Sequence, residues 1–172
     1  MPYGFYPKVW DQFAETGFDA YRRRERVWRF FFGGYCSNRS YAKIKKYTRL
    51  RMVDRHSVVR EVNRFYADST LEICSDQQLQ SAQSQRHESF VMIDNDRYRT
   101  RAQRWLDLLA QSDFFLAAPG CDYPLSHNAI EAMAVGTIPV LEYDSLFTPA
   151  LRDGENCIVY RGIDGLREAA AR

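Results

Sequence analysis

No apolar run in this 172-residue chain approaches the roughly 18 residues that cross a bilayer as a helix, and no stretch resembles a signal peptide. Cysteine is sparse: Cys36, Cys74, Cys121 and Cys157 are widely spread, with no C-x-x-C pair. That spacing argues against a zinc site and suits reduced thiols in a cytosolic protein. Histidine is scarcer still, with His56, His87 and His127 alone. The phosphate-binding fingerprints G-x-G-x-x-G and G-x-x-x-x-G-K-[ST] are both missing, and no internal repeat is visible.

What is present is globular. Hydrophobic residues make up 45% of the chain and charged residues 27%, which sets it apart from disordered sequences. The length suits one domain with an ordinary core. The net charge of +2 hides an asymmetry: residues 21–60 hold thirteen Arg and Lys against Glu25 and Asp54, a local excess of +11. A block like this is either a solvated face or an anion site for phosphates or nucleic acid. It carries no recognised nucleic-acid motif, so nucleic acid is not expected as a partner.

Residues 1–26 read as a lead-in, with Trp10, Phe13 and Phe18 as packing residues. Val27 to Phe32 (VWRFFF) predicts a strand closed by Gly33-Gly34. Residues 41–52 are basic and weakly helical. Ser57 to Tyr66 places Val58, Val59, Val62 and Phe65 at helical spacing, with Asp54 or Ser57 as the cap. Leu71 to Cys74 predicts a short strand. Ser75 to Glu88, rich in Gln and Ser, predicts a flexible loop. Phe90 to Ile93 is a strand or packed turn, and Arg97 to Ala110 a helix burying Tyr98, Ala102, Trp105, Leu108 and Leu109. His56 and His87, in polar surroundings, read as surface residues.

The remainder alternates strand and helix: strand 114–117, helix 126–135, strand 137–141, short helix 145–151, strand 157–160 and helix 163–171. Pro139 cuts against the strand that holds it, because proline lacks a ladder N–H. The alternation predicts an α/β three-layer sandwich with a mostly parallel, Rossmann-like sheet. Ligands in such sheets bind where strand ends meet helix starts, here the loop from Pro119 to Ser126.

Local chemistry supplies candidates in that loop. Ser126 is placed to cap the helix, leaving N–H groups near His127 and Asn128 to meet a diphosphate. Glu131, one turn in, suits the hydroxyls of a ribose. It also suits a simpler role against the helix dipole, worth about 0.3–1 kcal/mol. Asp122 is the loop's acid, a sugar contact or an Asx-turn former. Gly33-Gly34 is either a close backbone approach to a ligand or an ordinary turn.

The run P-G-C-D-Y-P-L-S-H-N-A-I-E-A-M-A-V-G-T-I-P-V resembles the nucleotide-sugar signature of GT-B glycosyltransferases, and most of all the exostosin-like family. The matching positions are Pro119, Gly120, Asp122, Pro124, Ser126, Glu131-Ala132-Met133, Gly136 and Ile138-Pro139-Val140. Pro139 is expected in that signature. The following D-G-E-N-C-I-V-Y is similar to the broader Asp-Gly-x-Asn-Gly pattern, with Cys157 at the usual second Gly. Many retaining members carry an acid eight positions before the Glu, where Tyr123 stands here.

The resemblance implies one half of a GT-B fold, with residues 27–172 as the nucleotide-sugar-binding domain and 1–26 as a lead-in or interdomain segment. It implies that Glu131 binds the ribose, that Ser126, His127, Asn128 and Gly120 face the phosphates, and that Asp122 contacts the sugar. Arg39, Arg51 or Arg55 would meet the diphosphate. It implies a nucleoside-diphosphate sugar as substrate; no cofactor is expected, and the motifs as read call for no metal. A GT-B enzyme has two such domains, so the N-terminal half would be supplied elsewhere. The expected location is the cytoplasm, with membrane association as an open alternative. Two other readings stay open: a non-catalytic nucleotide-sugar-binding or regulatory module, and a basic nucleic-acid-binding protein.

Overall fold

The computed structural model of the chain describes residues 4–36, 52–84, 86–121 and 123–171. Among these residues six strands form one sheet: β1 (Trp28–Gly34), β2 (Leu71–Glu72), β3 (His87–Asp94), β4 (Ser112–Leu116), β5 (Ile138–Leu141) and β6 (Ile158–Val159). Their spatial order is β2-β3-β1-β4-β5-β6, and every pairing is parallel. Among the described residues seven α-helices accompany them: α1 (Pro7–Thr16), α2 (Phe18–Arg22), α3 (Arg55–Phe65), α4 (Asp76–Gln83), α5 (Trp105–Ala110), α6 (His127–Ala134) and α7 (Gly162–Ala171).

The strands sort the core into two layers by alternation. Phe31, Val91, Ile93, Phe115 and Leu141 point to one face, where Val9, Tyr21, Leu79, Leu106, Leu109, Ala129 and Ala132 cover them from α1, α2, α4, α5 and α6. Phe30, Phe32, Phe90, Met92, Leu116 and Val140 point to the other, under Val58, Val59 and Val62 of α3 and Leu166 and Ala169 of α7. Each fully buried aliphatic or aromatic side chain contributes about 1.5–3 kcal/mol before chain entropy is charged against it. This is a three-layer α/β sandwich with a Rossmann-like sheet, as the alternating pattern predicts. The 1–26 segment packs into it, since Val9 is 2% exposed and Tyr21 5%.

Pro139 is accommodated by register. Val140 O accepts from Ala117 N on the β4 side, and Leu141 O accepts from Tyr160 N on the β6 side. Pro139 therefore turns its missing N–H toward β6, ahead of the β6 start opposite Val140.

Asp54 caps α3 as expected, accepting from Ser57 N at 3.0 Å and from Ser57 Oγ at 2.8 Å. Three expectations need correction. Ser75 to Glu88 is not read correctly as a flexible loop: Asp76–Gln83 forms α4, because Leu79 and Ala82 bury one face and Ser75 accepts from Gln78 N at the start, and His87 and Glu88 open β3. The helix expected over Arg97 to Ala110 is confined to one 3-10 turn and α5, because Arg101 is extended at φ −73° and ψ 140°. The helix expected over Ser145 to Leu151 shrinks to a 3-10 turn at Asp144–Leu146, with Phe147 already extended ahead of Pro149. The weakly helical stretch at 41–52 lies outside the described residues except for Met52. Among the described residues no helix is long and apolar enough to cross a membrane.

Candidate functional site

The chain leaves β1 toward β2 and β3 on one side and resumes with β4, β5 and β6 on the other. The reversal lies between β1 and β4, where parallel sheets open a crevice at the carboxyl ends of their strands. A cavity of about 720 Å³ opens there. It is lined by Gly33 and Gly34 from β1, by Gly120, Cys121 and Tyr123 after β4, and by Ser126, His127, Asn128 and Glu131 from the start of α6. The structure thus brings together five predicted site residues from the Gly120 to Glu131 stretch. Asp122, Arg39 and Arg51 lie outside the described residues.

Glu131 is 1% exposed, and both of its oxygens are engaged. Oε1 accepts from Tyr6 N at 2.8 Å and Oε2 accepts from Trp105 Nε1 at 2.7 Å. Burial pushes its carboxyl above the ordinary 4.5, opposed in order by the Tyr6 N–H, the Trp105 indole and the charge of His127. A buried carboxylate costs several kcal/mol unless donors meet it; these two donors meet it. A role limited to the helix dipole is too small an account of Glu131.

Ser126 stands at the N-cap of α6 in extended conformation, yet its side chain makes no cap hydrogen bond. The expected cap is therefore absent. Its Oγ is buried and approaches the Tyr143 hydroxyl without hydrogen-bond geometry. Burial pushes that hydroxyl up to about 12, with Ser126 opposing the shift. His127 opens α6 with its ring 5.7 Å from the Tyr6 ring.

Gly120 is required by the loop itself. A Cβ there would stand 2.3 Å from Tyr123 O, and Gly120 N donates to Pro124 O at 3.0 Å. Gly33 serves packing more than ligand approach: a Cβ would stand 2.7 Å from the Trp105 ring.

Among the three arginines left open for the diphosphate, Arg55 lines the cavity. It is 6% exposed and starts α3. Nε donates to Pro119 O at 2.8 Å and Nη2 to Ala118 O at 3.3 Å, while Nη1 lies 3.5 Å from the position of a Cβ on Gly34. Its guanidinium therefore spans the ends of β1 and β4, the crevice itself. His56 and His87 are half-buried rather than surface residues, and neither lines the cavity.

Several lining residues were not legible in the sequence. Tyr6 and Lys8 come from the 1–26 segment, Trp105 from the start of α5, and Arg99 and Arg101 from the chain after β3. The one available signal was Trp105, whose indole N–H needs an acceptor when buried. Asp94 ends β3 and opens an Asp-x-Asp triplet, Asp94-Asn95-Asp96; Asp94 Oδ1 accepts from Asp96 N at 3.0 Å, and only Asn95 of the three lines the cavity. Among the described residues no group of three or more His, Cys, Asp or Glu gathers as a metal would require. The four cysteines are free thiols.

Chemically, the cavity offers helix N–H groups, a buried guanidinium and further cations toward an anion. Tyr6, Tyr35 and Tyr123, 43%, 40% and 41% exposed, add ring faces to its lining. No family model, curated protein or solved structure matches the chain.

Proposed function

We propose that the chain is the donor-binding half of a glycosyltransferase and takes a nucleoside-diphosphate sugar in the cavity between β1 and β4. The observation that carries the reading is convergence. Gly120, Ser126, His127, Asn128 and Glu131, the Gly33-Gly34 strand end and Arg55 line one cavity at the sheet's reversal point.

In this reading the diphosphate lies against the start of α6, where unbonded N–H groups carry partial positive charge, with Arg55 beside it. Transfer is then assisted by stabilising the leaving diphosphate electrostatically. Glu131 is held in place by Trp105 and receives the ribose hydroxyls once the Tyr6 N–H gives way. A second GT-B half facing this cavity would complete the acceptor side of the cleft.

The test is calorimetric titration with UDP and GDP. Binding of at least one, weakened about tenfold by Arg55→Gln, is the expected result. Heatless titrations with both would end the proposal.

A binding module without transfer activity is the second reading. The observation favouring it is that both Glu131 oxygens are already satisfied within the chain. Sugar transfer measured with the isolated chain would exclude it.

A further inference from the structure

Among its described lining residues the cavity is strongly one-signed. Lys8, Arg55, Arg99 and Arg101 line it, and Glu131 is the one carboxylate among its described lining residues. Both oxygens of that carboxylate are engaged, by Tyr6 and Trp105.

The cations fall into two places. Arg55 stands at the β1–β4 crevice with the start of α6. Lys8 belongs to α1, and Arg99 and Arg101 follow β3, two positions apart on either side of Thr100. Among the described residues none of these last three makes an ion pair. Asp76, whose carboxyl senses Arg101, is already held by Arg104 at 2.6 Å and by Tyr98 at 2.7 Å. Asp94 and Asp96, close in sequence, do not line the cavity.

Like charges on a convex surface are screened by water and need no partner. Like charges gathered on the wall of a concavity focus a field that favours an anion. A donor diphosphate carries two negative charges, and Arg55 with the helix start suffices for it. Lys8, Arg99 and Arg101 then remain without an ion-pair partner among the described residues.

We propose that Lys8, Arg99 and Arg101 form a second anion subsite, which binds the acidic group, phosphate or carboxylate, of a saccharide co-substrate entering the same cavity. The inference rests on the donor reading of the Arg55 crevice, and it adds that the second substrate is acidic. Arg99 and Arg101 present planar forks suited to a two-oxygen group, with Lys8 as a point charge.

The test titrates the full chain, saturated with whichever of UDP or GDP binds, with glucose 6-phosphate, glucuronate and glucose. The wild type is compared with Arg99→Gln/Arg101→Gln and, separately, with Lys8→Gln. All three positions are exposed, so the fold is expected to persist, and circular dichroism checks it. At least one acidic sugar should bind about tenfold tighter than glucose, and the double variant should lose that advantage while keeping its nucleotide affinity. The better acid distinguishes phosphate from carboxylate. Equal binding of the three sugars overturns the subsite. Loss of nucleotide affinity in the double variant also overturns it, by assigning the arginines to the diphosphate. If neither nucleotide binds, the donor reading fails on its own, and the sugars are titrated against the free chain. Charge-selective binding lost in the double variant then upholds the subsite, and its absence overturns it.

Discussion

The Trp105 indole donates its N–H to Glu131 Oε2 at 2.7 Å, and both residues line the cavity. The bond joins α5 to α6 beneath the proposed ligand. Removing Glu131 strands two donors at once, the indole and the Tyr6 N–H. Glu131→Ala should therefore lower stability by about 1–3 kcal/mol, read as a drop in the urea midpoint without any ligand. An unchanged midpoint would show that the carboxylate does not hold these elements together.

Gly33→Ala tests the same bond from the other side. The added methyl would stand 2.7 Å from the Trp105 ring and 2.9 Å from Phe31. The indole should be displaced from Glu131, at a cost of about 1–3 kcal/mol, with a shift in tryptophan emission. Gly154→Ala meets nothing within 4 Å, but Gly154 sits at φ 75°, so its cost is backbone strain without an emission change.

Arg26 fastens the opposite end of the sheet. Nη1 donates to Ala110 O at 2.5 Å, Ser112 O at 3.1 Å and Thr137 Oγ1 at 2.9 Å, and Nη2 to Val135 O at 2.9 Å. These acceptors close α5 and α6 and open β4 and β5. Arg26→Ala should cost about 2–3 kcal/mol, and Arg26→Lys should recover little because an ammonium lacks the planar fork. Thermal denaturation of the two variants checks both statements; full rescue by lysine would refute the second.

Two buried carboxyls give the stability a pH signature. Burial raises Glu131 above its ordinary value, and likewise Glu142, whose oxygens accept from Gly162 N at 2.8 Å and Val53 N at 2.7 Å. A raised folded value means that the folded chain holds its proton more tightly than the unfolded chain. The contribution is full below the ordinary carboxyl value of 4.5 and is lost as pH rises through the folded values. Urea midpoints taken from pH 4 upward, at about half-unit steps, should show this downward component. Glu131→Gln with Glu142→Gln should remove it. A slope unchanged in the double variant would contradict the assignment.

Much of the fold could be read from the chain because its signals are local. VWRFFF announces β1, and the apolar spacing Val58, Val59, Val62 announces α3. The Gln- and Ser-rich stretch at 75–88 misled because its composition hides the two apolar positions, Leu79 and Ala82, that anchor α4. Gln is a good helix former, and a short helix needs only one buried stripe. The stretch from Arg97 misled in the opposite way. Its helical spacing is real, but the Asp94 carbonyl accepts from Arg97 N and Tyr98 N in a turn that helix formation does not continue. At the site, the residues between Gly120 and Glu131 were legible because they are contiguous. The partners of Glu131 were not: Tyr6 lies 125 positions away and Trp105 26. No local pattern encodes contacts that only the closed sheet creates.

The central claim is that a nucleotide occupies the cavity beside Glu131. The most direct measurement follows the Trp105 indole N–H and the backbone amides by ¹⁵N–¹H correlation spectra during titration with UDP and with GDP. The account predicts that one of them moves the Trp105 indole resonance together with Gly33, Gly34 and the amides from Ser126 to Glu131. Spectra unmoved by both nucleotides, or shifts confined to residues away from the β1–β4 crevice, would contradict it.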